Sequence, residues 1–479
     1  MDNAQNQMPQ GKIMIGHKLK KLRAEMNITQ SDMASELGIS ASYLNLLENN
    51  MRPITVPLLF KLGQTYDLDL RDIAEDDSAR LSARLTEISA DPAMQEKRLS
   101  RREIQQLCSQ HPQVAESLIH LFESFEMMRS AAYTGHQTRS GQTPAPSAIE
   151  QVRDYLERSG NYFLALEQAA SDCRREAQLR PGFIFADLAR WMDEKLGLST
   201  RIMPLSVMGN LLRQHDPHRR RLLLSEVLKE PQRVFQLAVQ IAQSYHSELL
   251  NRLVDEAGME TPESRQLLKI ALAGYFAGAL MMPYDAFFKA TQDTRHDLDQ
   301  LCRIFGASFE QVCHRLTTLN RQGMRGIPFF FIRLDEAGYV SKRLSGGGVE
   351  LARHGGACAR WIPHQVFRNP GQIRVQAAEL EDGHRFFTIA RTVVQPRTGP
   401  AHIGTPLFAV ALGCDFRHVK DIGYADALTN SKSAPFTPIG MGCGVCERID
   451  CQHRGRPPLG HELRFDPTRR QSGLFDLRG

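Results

Sequence analysis

The sequence predicts a multidomain protein with an all-α N-terminal segment, a mainly α middle segment and an α+β C-terminal segment. Apolar residues recur at three- and four-residue spacing through residues 12–134, which is the period of helices. A polar stretch rich in Gly, Pro and Ser, residues 135–147, interrupts this pattern and predicts a linker. Near residue 325 the pattern changes to short β-type runs bounded by turn residues.

Composition limits the class of protein. The chain has 479 residues and a formal net charge of +5, which is too mild to identify a nucleic-acid-binding protein by itself. The N-terminus has no apolar stretch of the signal-peptide kind. The longest apolar run, Ile270 to Met282, is shorter than the roughly 17 residues that span a bilayer. We therefore expect a cytoplasmic protein with no membrane partner, whose nine cysteines are free thiols or metal ligands.

Residues 29–48 predict two short helices joined by a tight turn. Thr29 and Asp32 have the spacing of a capping box at the start of the first helix. Gly38 suits the left-handed position of the turn, because only glycine adopts it without strain. Ser40 can cap the second helix. This pattern is typical of a helix-turn-helix, whose second helix enters the DNA major groove.

The second helix of this pair has a polar outer face. The expected buried stripe consists of Met33, Ala34, Leu37, Tyr43, Leu44 and Leu47. Five short helices over residues 12–75 resemble the phage-repressor-like, XRE-type DNA-binding domain, and the alternative is a packed helical hairpin that binds no nucleic acid. The resemblance implies contacts to double-stranded promoter DNA, with bases read by the face around Ser42 and Asn45. The predicted DNA-binding residues are Gln30, Ser40, Ala41, Ser42, Tyr43, Asn45, Asn49, Asn50 and Arg52.

Residues 76–134 predict a helical connector. Its apolar residues include Leu81, Leu85, Ile88, Leu107, Val114, Leu118, Leu121, Phe122, Phe125 and Met128. Repressors often dimerise through such a segment, because palindromic operators favour dimers. We expect a homodimer or a higher homo-oligomer, and the alternative is a monomeric helical spacer.

Residues 148–322 resemble the ImmA/IrrE-type zinc peptidases. Phe235-Gln-Leu-Ala-Val-Gln-Ile-Ala-Gln243 stands where those enzymes carry Phe-x-Ile-Ala-His-Glu-Leu-Gly-His, and Tyr275-Phe-Ala-Gly-Ala-Leu-Met-Met-Pro283 resembles a later signature. The two zinc-binding histidine positions fall on Val239 and Gln243, and the catalytic glutamate position falls on Gln240. Because zinc peptidases need imidazole ligands and a carboxylate base, we expect no catalytic residues and no enzyme.

A displaced zinc site is the alternative for this segment. His246 and Glu248 lie just beyond the degenerate motif. Two residues that are two positions apart do not share a helix face, so the sequence favours a scaffold without a metal.

The C-terminal segment, residues 323–479, predicts an α+β domain. The predicted strands are Ile327 to Leu334, Gly338 to Leu344, Ile373 to Ala377, Arg385 to Val394 and Phe408 to Gly413. The predicted hairpin turns are residues 335–338 and 381–383, each of which ends in glycine.

Three cysteines lie within nine positions near the C-terminus: Cys443, Cys446 and Cys451. The two-residue gap lets two thiolates bind one centre. Zinc would take His453 as a fourth ligand, and a [4Fe–4S] cluster needs at least three cysteines. Two cysteines farther away in the sequence are also candidates for the fourth ligand. Cys414 is the first candidate and Cys358 is the second. The alternative is three buried structural cysteines.

The order of these segments is similar to that of the short-chain fatty acyl-CoA regulator family. The motifs that carry the resemblance are Phe329-Phe-Phe-Ile-Arg333, Ser341-Lys-Arg343, Gly355-Gly-Ala-Cys358, Arg360-Trp361 and Gly413-Cys-Asp415, together with the cysteine cluster. The resemblance implies a regulator of acetate, propionate or methylcitrate pathway genes that responds to an acyl-CoA ester. It also favours an iron–sulfur cluster over zinc.

An acyl-CoA effector needs cations for its phosphates and an apolar slot for its acyl chain. The predicted cations are Arg333, Lys342, Arg343, Arg353 and Arg360, and the predicted aromatic residues are Phe329, Phe330, Phe331, Trp361 and Phe367. Two alternative functions remain open: a regulator that senses redox state or iron through the cluster, and a DNA-tethered zinc peptidase.

Overall fold

The computed structural model describes residues 16–26, 28–48, 51–66, 77–89, 91, 99–133, 148–345, 358–396, 404–429, 436–440, 442–443, 446, 448 and 451–455. The chain divides into two compact units, residues 1–141 and residues 142–479. The division falls within the predicted linker, residues 135–147, which lies outside the described residues. The multidomain α and α+β organisation predicted from the sequence is confirmed.

The first unit begins with four short helices. They are α1 (Gly16–Glu25), α2 (Gln30–Glu36), α3 (Ala41–Glu48) and α4 (Val56–Thr65). The predicted stripe of α2 and α3 is buried in one apolar cluster, except for Tyr43, which packs half-buried against it. The prediction of five helices over residues 12–75 extends beyond the described residues, in which four are present.

Three further helices lie in the described part of this unit. They are α5 (Asp77–Ser89), α6 (Arg101–Gln110) and α7 (Pro112–Tyr133). Ser100 and Glu103 form a capping box at the start of α6. The helices share an apolar cluster of Leu81, Leu85, Ile88, Ile104, Cys108, Ala115 and Ile119.

The second unit begins with a mainly helical segment. Its helices are α8 (Ala148–Arg158), α9 (Leu164–Glu176), α10 (Ile184–Leu196), α11 (Leu205–Met208), α12 (Glu230–Ser244), α13 (Ser247–Glu256), α14 (Pro262–Met281), α15 (Tyr284–Asp293), α16 (Leu298–Phe305) and α17 (Phe309–Leu316). A small sheet in the order β1-β3-β2 consists of β1 (Ser199–Met203), β2 (Arg213–Asp216) and β3 (Arg221–Ser225). Strand β3 pairs with β1 in parallel and with β2 antiparallel. The sequence does not predict these strands, because β2 is entirely polar and short.

The C-terminal segment forms the larger sheet. Its strands are β4 (Asn320–Arg321), β5 (Met324–Arg325), β6 (Phe330–Leu334), β7 (Val340–Ser345), β8 (Arg374–Glu379), β9 (Arg385–Val394), β10 (Leu407–Asp415) and β11 (Thr437–Pro438). Strands β4 and β5 pair with each other, and the other six form a sheet in the order β11-β8-β9-β10-β6-β7. All pairings are antiparallel except that of β11 with β8. The five predicted strands correspond to β6 through β10, and the predicted turn residues Gly338 and Gly383 have φ of +87° and +84°.

Short helices complete this segment. They are 3-10 helices at Ile362–His364, Val366–Arg368, Phe416–Asp421 and Gly423–Ala425, and α18 (Asp426–Thr429).

One apolar core joins the helices of the second unit to one face of the larger sheet. Phe331, Phe387 and Val410 belong to this core, whereas Phe330 belongs to a separate cluster on the opposite face. Gly413 is required where β10 passes Phe330, because a Cβ there would lie 2.2 Å from Phe330 Cζ.

A buried ion pair fastens the helical part of this core. Arg315 Nη1 and Nη2 donate to the two Glu167 carboxylate oxygens at 2.6 and 2.9 Å. Arg315 Nε donates to the Met282 carbonyl at 3.0 Å, and the Tyr275 hydroxyl donates to Glu167 at 2.6 Å. The pair therefore has the additional hydrogen bonds that a buried charge requires.

Within the described ranges, no single helix is long and apolar enough to cross a bilayer. Helices α14 and α15 reach the required length and composition only as a pair, which is bent by 64°.

Candidate functional sites

The helix pair α2–α3 is fixed by the caps that the sequence predicts. The Asp32 N–H donates to Thr29 Oγ1 at 3.2 Å, and the Thr29 N–H donates to Asp32 Oδ2 at 3.2 Å. Gly38 has φ of +63° in the turn. The Tyr43 N–H donates to Ser40 Oγ at 3.1 Å. The predicted capping box, glycine turn and serine cap are therefore confirmed.

A buried carboxylate joins three helices of this bundle. Glu48, the last residue of α3, is 3% exposed. It accepts from Arg23 Nε of α1 at 2.8 Å and from Gln30 Nε2 of α2 at 2.9 Å. The hydrogen bond to Glu48 raises the pKa of Arg23. Glu48 was not among the candidate residues, although it lies four positions after the buried Leu44 and therefore on the same face of α3.

The outer face of α3 is small and polar. Ala41, Ser42 and Asn45 are exposed, as are Ser40 before the helix and Arg52 after it. An α-helix with its side chains is about 10–12 Å across, so α3 can enter a major groove that is roughly 12 Å wide.

The other predicted DNA-binding residues have different surroundings. The amide nitrogen of Gln30 is bound to Glu48, and Tyr43 packs against the core of the bundle. Asn49 and Asn50 lie outside the described residues. DNA contacts by all nine predicted residues stay predictions.

The positions of the peptidase motif hold no zinc ligand. Val239 is buried on α12, and Gln240 Nε2 donates to Ser244 Oγ at 2.8 Å. Gln243 Oε1 accepts from Arg213 Nη2 of β2 at 3.1 Å. Burial lowers the pKa of Arg213. A guanidinium thus faces the amide in the second histidine position, and the three motif positions offer neither an imidazole nor a carboxylate.

The displaced site is not assembled either. His246 is half-buried against Phe276, with 4.9 Å between ring centroids, and burial lowers its pKa. Glu248 is exposed in the first turn of α13. Across the part of the chain that the structure describes, no group of three or more His, Cys, Asp or Glu side chains could hold a metal ion.

Two predicted effector cations face the helices. Arg333 of β6 donates through Nη1 to Glu310 Oε1 of α17 at 2.8 Å. Lys342 of β7 lies opposite Arg333 in the register, and its Nζ is 5.8 Å from the centroid of the Phe331 ring. Burial lowers the pKa of Lys342. The Arg333 guanidinium is therefore already paired with the Glu310 carboxylate. The half-buried ammonium of Lys342 lies beside it.

The other effector candidates lie on the opposite face of the sheet. Arg343 is opposite Ile332 in the register and shares its face. Trp361 is 4% exposed in the cluster of that face, and its Nε1 donates to Thr388 Oγ1 at 3.3 Å. Arg360, in the turn that precedes Trp361, is half-buried.

The predicted effector residues therefore do not form one pocket. Of the aromatic candidates, Phe329 and Phe331 lie in the helix-facing core, whereas Phe330 and Phe367 belong to the opposite cluster. Arg353 lies outside the described residues. The sheet separates the candidates into two groups, and the assignment of an effector contact to any one of them stays a prediction.

A buried arginine organises the described residues of the C-terminal cysteine loop, which are 442–443, 446, 448 and 451–455. Arg454 is 4% exposed, and its guanidinium donates to the carbonyls of Cys443 at 2.7 Å, Cys446 at 2.8 Å and Arg448 at 2.7 Å. Cys446 is buried, whereas Cys443 and Cys451 are half-buried. Burial is the largest cause that raises the pKa of Cys446 to about 12. Arg454 was not predicted, because arginine at this spacing has no recognised role in metal motifs.

The candidates for a fourth ligand lie in three different places. His453 is exposed in the loop itself. Cys414 belongs to the helix-facing core, and burial raises its pKa. Cys358 packs against the cluster of the opposite face, which also contains Ile439 from the segment that leads into the loop. Cys358 therefore shares a sheet face with that segment, and Cys414 does not.

The cysteine loop has the donor types of a thiolate-bound metal, but the structure does not bring the three sulfurs together. Three thiols on one short loop suit zinc or an iron–sulfur cluster equally. The backbone also approaches the sulfur of Cys446, since a Cβ on Gly440 would lie 2.8 Å from it. The three described sulfurs do not form a group that could hold an ion, so the ligand set stays a prediction.

Three family models match the chain in the predicted order. The helix-turn-helix model covers residues 19–73, the IrrE N-terminal-like domain model covers residues 193–317, and the model described as short-chain fatty acyl coenzyme A regulator, C-terminal, covers residues 318–475.

Relatives match over nearly the whole length. A propionyl-CoA carboxylase regulator of Cereibacter sphaeroides is 36% identical over 96% of this chain and 97% of its own. The HTH-type transcriptional regulator PrpR of Mycobacterium tuberculosis is 35% identical over 94% of this chain and 93% of its own. The HTH-type transcriptional regulator RamB of the same organism is 34% identical, over 96% and 97% respectively. A solved Mycobacterium tuberculosis transcriptional regulator has a TM-score of 0.65 and 36% identity, and the match covers 69% of this chain and 100% of that chain.

Proposed function

Because the chain belongs to the short-chain fatty acyl coenzyme A regulator family, we propose that it binds a short-chain acyl-CoA ester and changes its DNA affinity in response. It is a helix-turn-helix transcription regulator, and the genes it controls would be those of acetate, propionate or methylcitrate metabolism. The observation that carries the proposal is the exposed polar face of α3 in a chain that also has the family's C-terminal domain. The effector must bind one conformation better than another, since only differential affinity shifts an equilibrium.

A titration of the full chain tests this proposal. Fluorescence anisotropy would measure binding to DNA from upstream of its own gene and of neighbouring genes, with acetyl-CoA or propionyl-CoA added stepwise. We expect the DNA affinity to change about tenfold, a coupling of roughly 1.4 kcal/mol. Free CoA and propionate are the controls. Binding curves that coincide with and without both esters would contradict the proposal.

We infer that the peptidase-like segment is a scaffold and not an enzyme. The contacts of Val239, Gln240 and Gln243 support this, because none of these side chains can hold zinc or act as a base. Chelator-sensitive cleavage of a protein substrate by the purified chain would contradict it. Loss of this cleavage in His246→Ala, but not in Gln243→Ala, would indicate that His246 belongs to a displaced zinc site.

We propose that Cys443, Cys446 and Cys451 hold a [4Fe–4S] cluster, with zinc as the alternative. Membership of the family and the three thiols of one loop support this assignment. Redox or iron sensing by that cluster is the second candidate function. Anaerobic purification followed by native mass spectrometry would report the metal, the bound CoA ester and the subunit number together. Colourless protein with one zinc ion per chain would reject the cluster.

We propose that the chain forms a homodimer through α7. Val114, Leu118, Leu121 and Phe125 are 50%, 38%, 66% and 39% exposed. Their spacing of four, three and four residues is that of a coiled-coil seam, so a second copy of the same helix can cover them.

Light scattering on the purified chain tests the dimer. Leu121→Glu should convert it to a monomer, because a carboxylate would be buried in the seam. Gln113→Glu introduces the same charge on an exposed position of α7 outside the seam and should leave the dimer intact. An unchanged mass for Leu121→Glu would place the interface elsewhere.

A further inference from the structure

We propose that Lys342 is a covalent acylation site, whose amine takes the acyl group of a short-chain acyl-CoA thioester. The choice of acyl donor rests on the proposed function, since a chain that responds to acyl-CoA meets these esters. Arg333, which lies opposite Lys342 on the neighbouring strand, would hold the carbonyl of the thioester during the transfer.

The pairing of β6 with β7 brings the two side chains together. Arg333 and Lys342 are directly opposite each other in the antiparallel register, so their Cβ atoms lie about 4.5–5.5 Å apart. Both share the sheet face of Phe331, which belongs to the helix-facing core. Lys342 Nζ lies 5.8 Å from the centroid of the Phe331 ring. An amine and a guanidinium are therefore neighbours on one face of the sheet.

Three contacts hold the Arg333 guanidinium in place. Its Nε donates to Ser341 Oγ at 2.9 Å, its Nη1 donates to Glu310 Oε1 at 2.8 Å, and its Cζ lies 5.1 Å from the centroid of the Phe408 ring. None of the hydrogen bonds between described residues involves Arg333 Nη2. That nitrogen keeps its donors for an acceptor such as a thioester carbonyl oxygen, on which negative charge develops during acyl transfer.

The same contacts leave Lys342 without a carboxylate of its own. Glu310 is paired with Arg333, and the Lys342 amine makes no hydrogen bond or ion pair with the residues that the structure describes. Burial lowers the pKa of Lys342; the charge of Glu310 opposes this effect and that of Arg333 adds to it. More of the side chain is therefore the neutral amine, which is the nucleophilic form of lysine.

A thioester can reach this amine from solvent. The side chains of Arg333 and Glu310 are 24% and 23% exposed, and Lys342 is half-buried. The site thus has two properties that acyl transfer to lysine requires. The amine is accessible, and the surroundings disfavour its charged form because a second cation lies next to it.

The transfer needs no further reactant. The Lys342 nitrogen forms a bond to the thioester carbonyl carbon, the carbon–sulfur bond breaks, and the leaving CoA thiolate takes up the proton that the amine loses. The products are an amide on Lys342 and the free thiol of CoA. Acylation removes a positive charge beside Arg333, and the amide remains after the ester has been consumed.

The test incubates the full chain with propionyl-CoA at pH 7.5 and follows the rate of propionylation of each lysine by peptide mass spectrometry. Lys195 of α10 and Lys289 of α15, which are both exposed, are reference amines in the same molecule. The propionyl thioester of N-acetylcysteamine is a second donor, which carries the same acyl group without the nucleotide.

Two arginine variants separate the role of Arg333 from a general effect on the sheet. Arg333→Gln removes the guanidinium opposite Lys342. Arg385→Gln is the matched control, because Arg385 also pairs with a glutamate, Glu379 at 2.7 Å, and also lies over a phenylalanine ring, that of Phe436 at 4.3 Å.

We expect Lys342 to be propionylated at least about tenfold faster than either reference lysine, because more of its amine is neutral. Lys342→Arg should lose this modification. Arg333→Gln should lower the rate at Lys342 about tenfold, because it removes the donor to the carbonyl oxygen and frees Glu310 to pair with the amine. Arg385→Gln should react at the wild-type rate.

Three results would overturn the inference: a rate at Lys342 no higher than at Lys195 and Lys289, an unchanged rate in Arg333→Gln, or equal slowing in Arg385→Gln. If DNA affinity responds to propionyl-CoA while Lys342 stays unmodified, the acylation site alone is rejected. If DNA affinity does not respond but both thioesters modify Lys342 rapidly, the proposed effector response fails and the acylation site stands.

Discussion

Glu48 connects the stability of the N-terminal bundle to the placement of its predicted DNA-binding face. Its buried carboxylate, at the end of α3, holds Arg23 from α1 and Gln30 from α2. A buried acid is stable only when its lone pairs are satisfied, and these two side chains satisfy them. The same bonds orient Gln30, which is predicted to contact DNA.

Glu48→Gln should loosen the bundle and weaken DNA binding. The new amide keeps the shape but loses the charge, and its NH₂ group would oppose the donors of Arg23 and Gln30. We expect a loss of about 1–3 kcal/mol in local stability, measured as faster hydrogen exchange of the α1–α3 amides, and several-fold weaker operator binding. Glu116→Gln, at an exposed position of α7 outside this bundle, is the control. Equal exchange rates in both variants would show that Glu48 does not hold the helices.

At the scale of the element, α3 should determine operator recognition. Replacing both Ser42 and Asn45 by Glu places two carboxylates on the exposed face that would meet DNA. Repulsion by the phosphates and lost base contacts should reduce operator affinity at least tenfold, without a change in circular dichroism. Ser35→Glu, on the exposed side of α2, should have a smaller effect. Wild-type affinity in the double variant would exclude this face from recognition.

The ion pair between Glu167 of α9 and Arg315 of α17 should contribute strongly to the stability of the second unit. Arg315→Met leaves the Glu167 carboxylate buried without its main partner, so we expect a loss of about 3–5 kcal/mol. Arg315→Met with Glu167→Leu removes both charges and should recover much of that loss. Urea unfolding followed by the fluorescence of Trp191 and Trp361, both in the second unit, measures the difference. If the double variant were less stable than Arg315→Met, the stability loss in Arg315→Met would not be explained by the unpaired charge of Glu167.

Local patterns predict the elements, but not the surroundings of the functional side chains. Caps at Thr29 and Ser40 and the strands β6 through β10 follow from short-range sequence signals, and the structure confirms them. The placement of Arg333 and Arg343 on opposite faces depends on the pairing register of β6 with β7, which shifts at Arg333/Leu334. Such a shift leaves no signal in the sequence. The roles of Glu48 and Arg454 likewise depend on contacts between residues that no spacing rule relates.

At the scale of the whole molecule, the second unit couples its helices to its sheet through one core. Arg391 of β9 donates to Asp299 of α16 at 2.8 Å, and Asn161 after α8 donates to the Ser345 carbonyl of β7 at 2.9 Å. Because packed interiors transmit strain, a ligand on the helix-facing side of the sheet would act on the peptidase-like helices directly. The degenerate peptidase segment would thereby have a structural role.

Buried histidines should make the second unit sensitive to acid. Burial lowers the pKa of His296 and, together with the charges of Lys342 and Arg315, holds that of His314 well below its ordinary value. Burial also lowers the pKa of His246 and His364. Unfolded histidines take up protons near pH 6.5, whereas these folded ones stay neutral until a lower pH. Stability is therefore fully present above about pH 6.5 and decreases as the pH falls toward the folded pKa values.

Thermal melts of the full chain between pH 7.5 and 5.0 would measure this loss. His314 contributes up to about 1.4 kcal/mol for each pH unit below 6.5, because protonation favours the unfolded state. His314→Gln cannot take up a proton, so its melting temperature should depend less on pH than that of wild type. His218→Gln, at an exposed position, should follow wild type. If His314→Gln and wild type lose stability in parallel over this range, the buried imidazoles are not the origin of the acid sensitivity, and the exposed carboxylates of the second unit become its source.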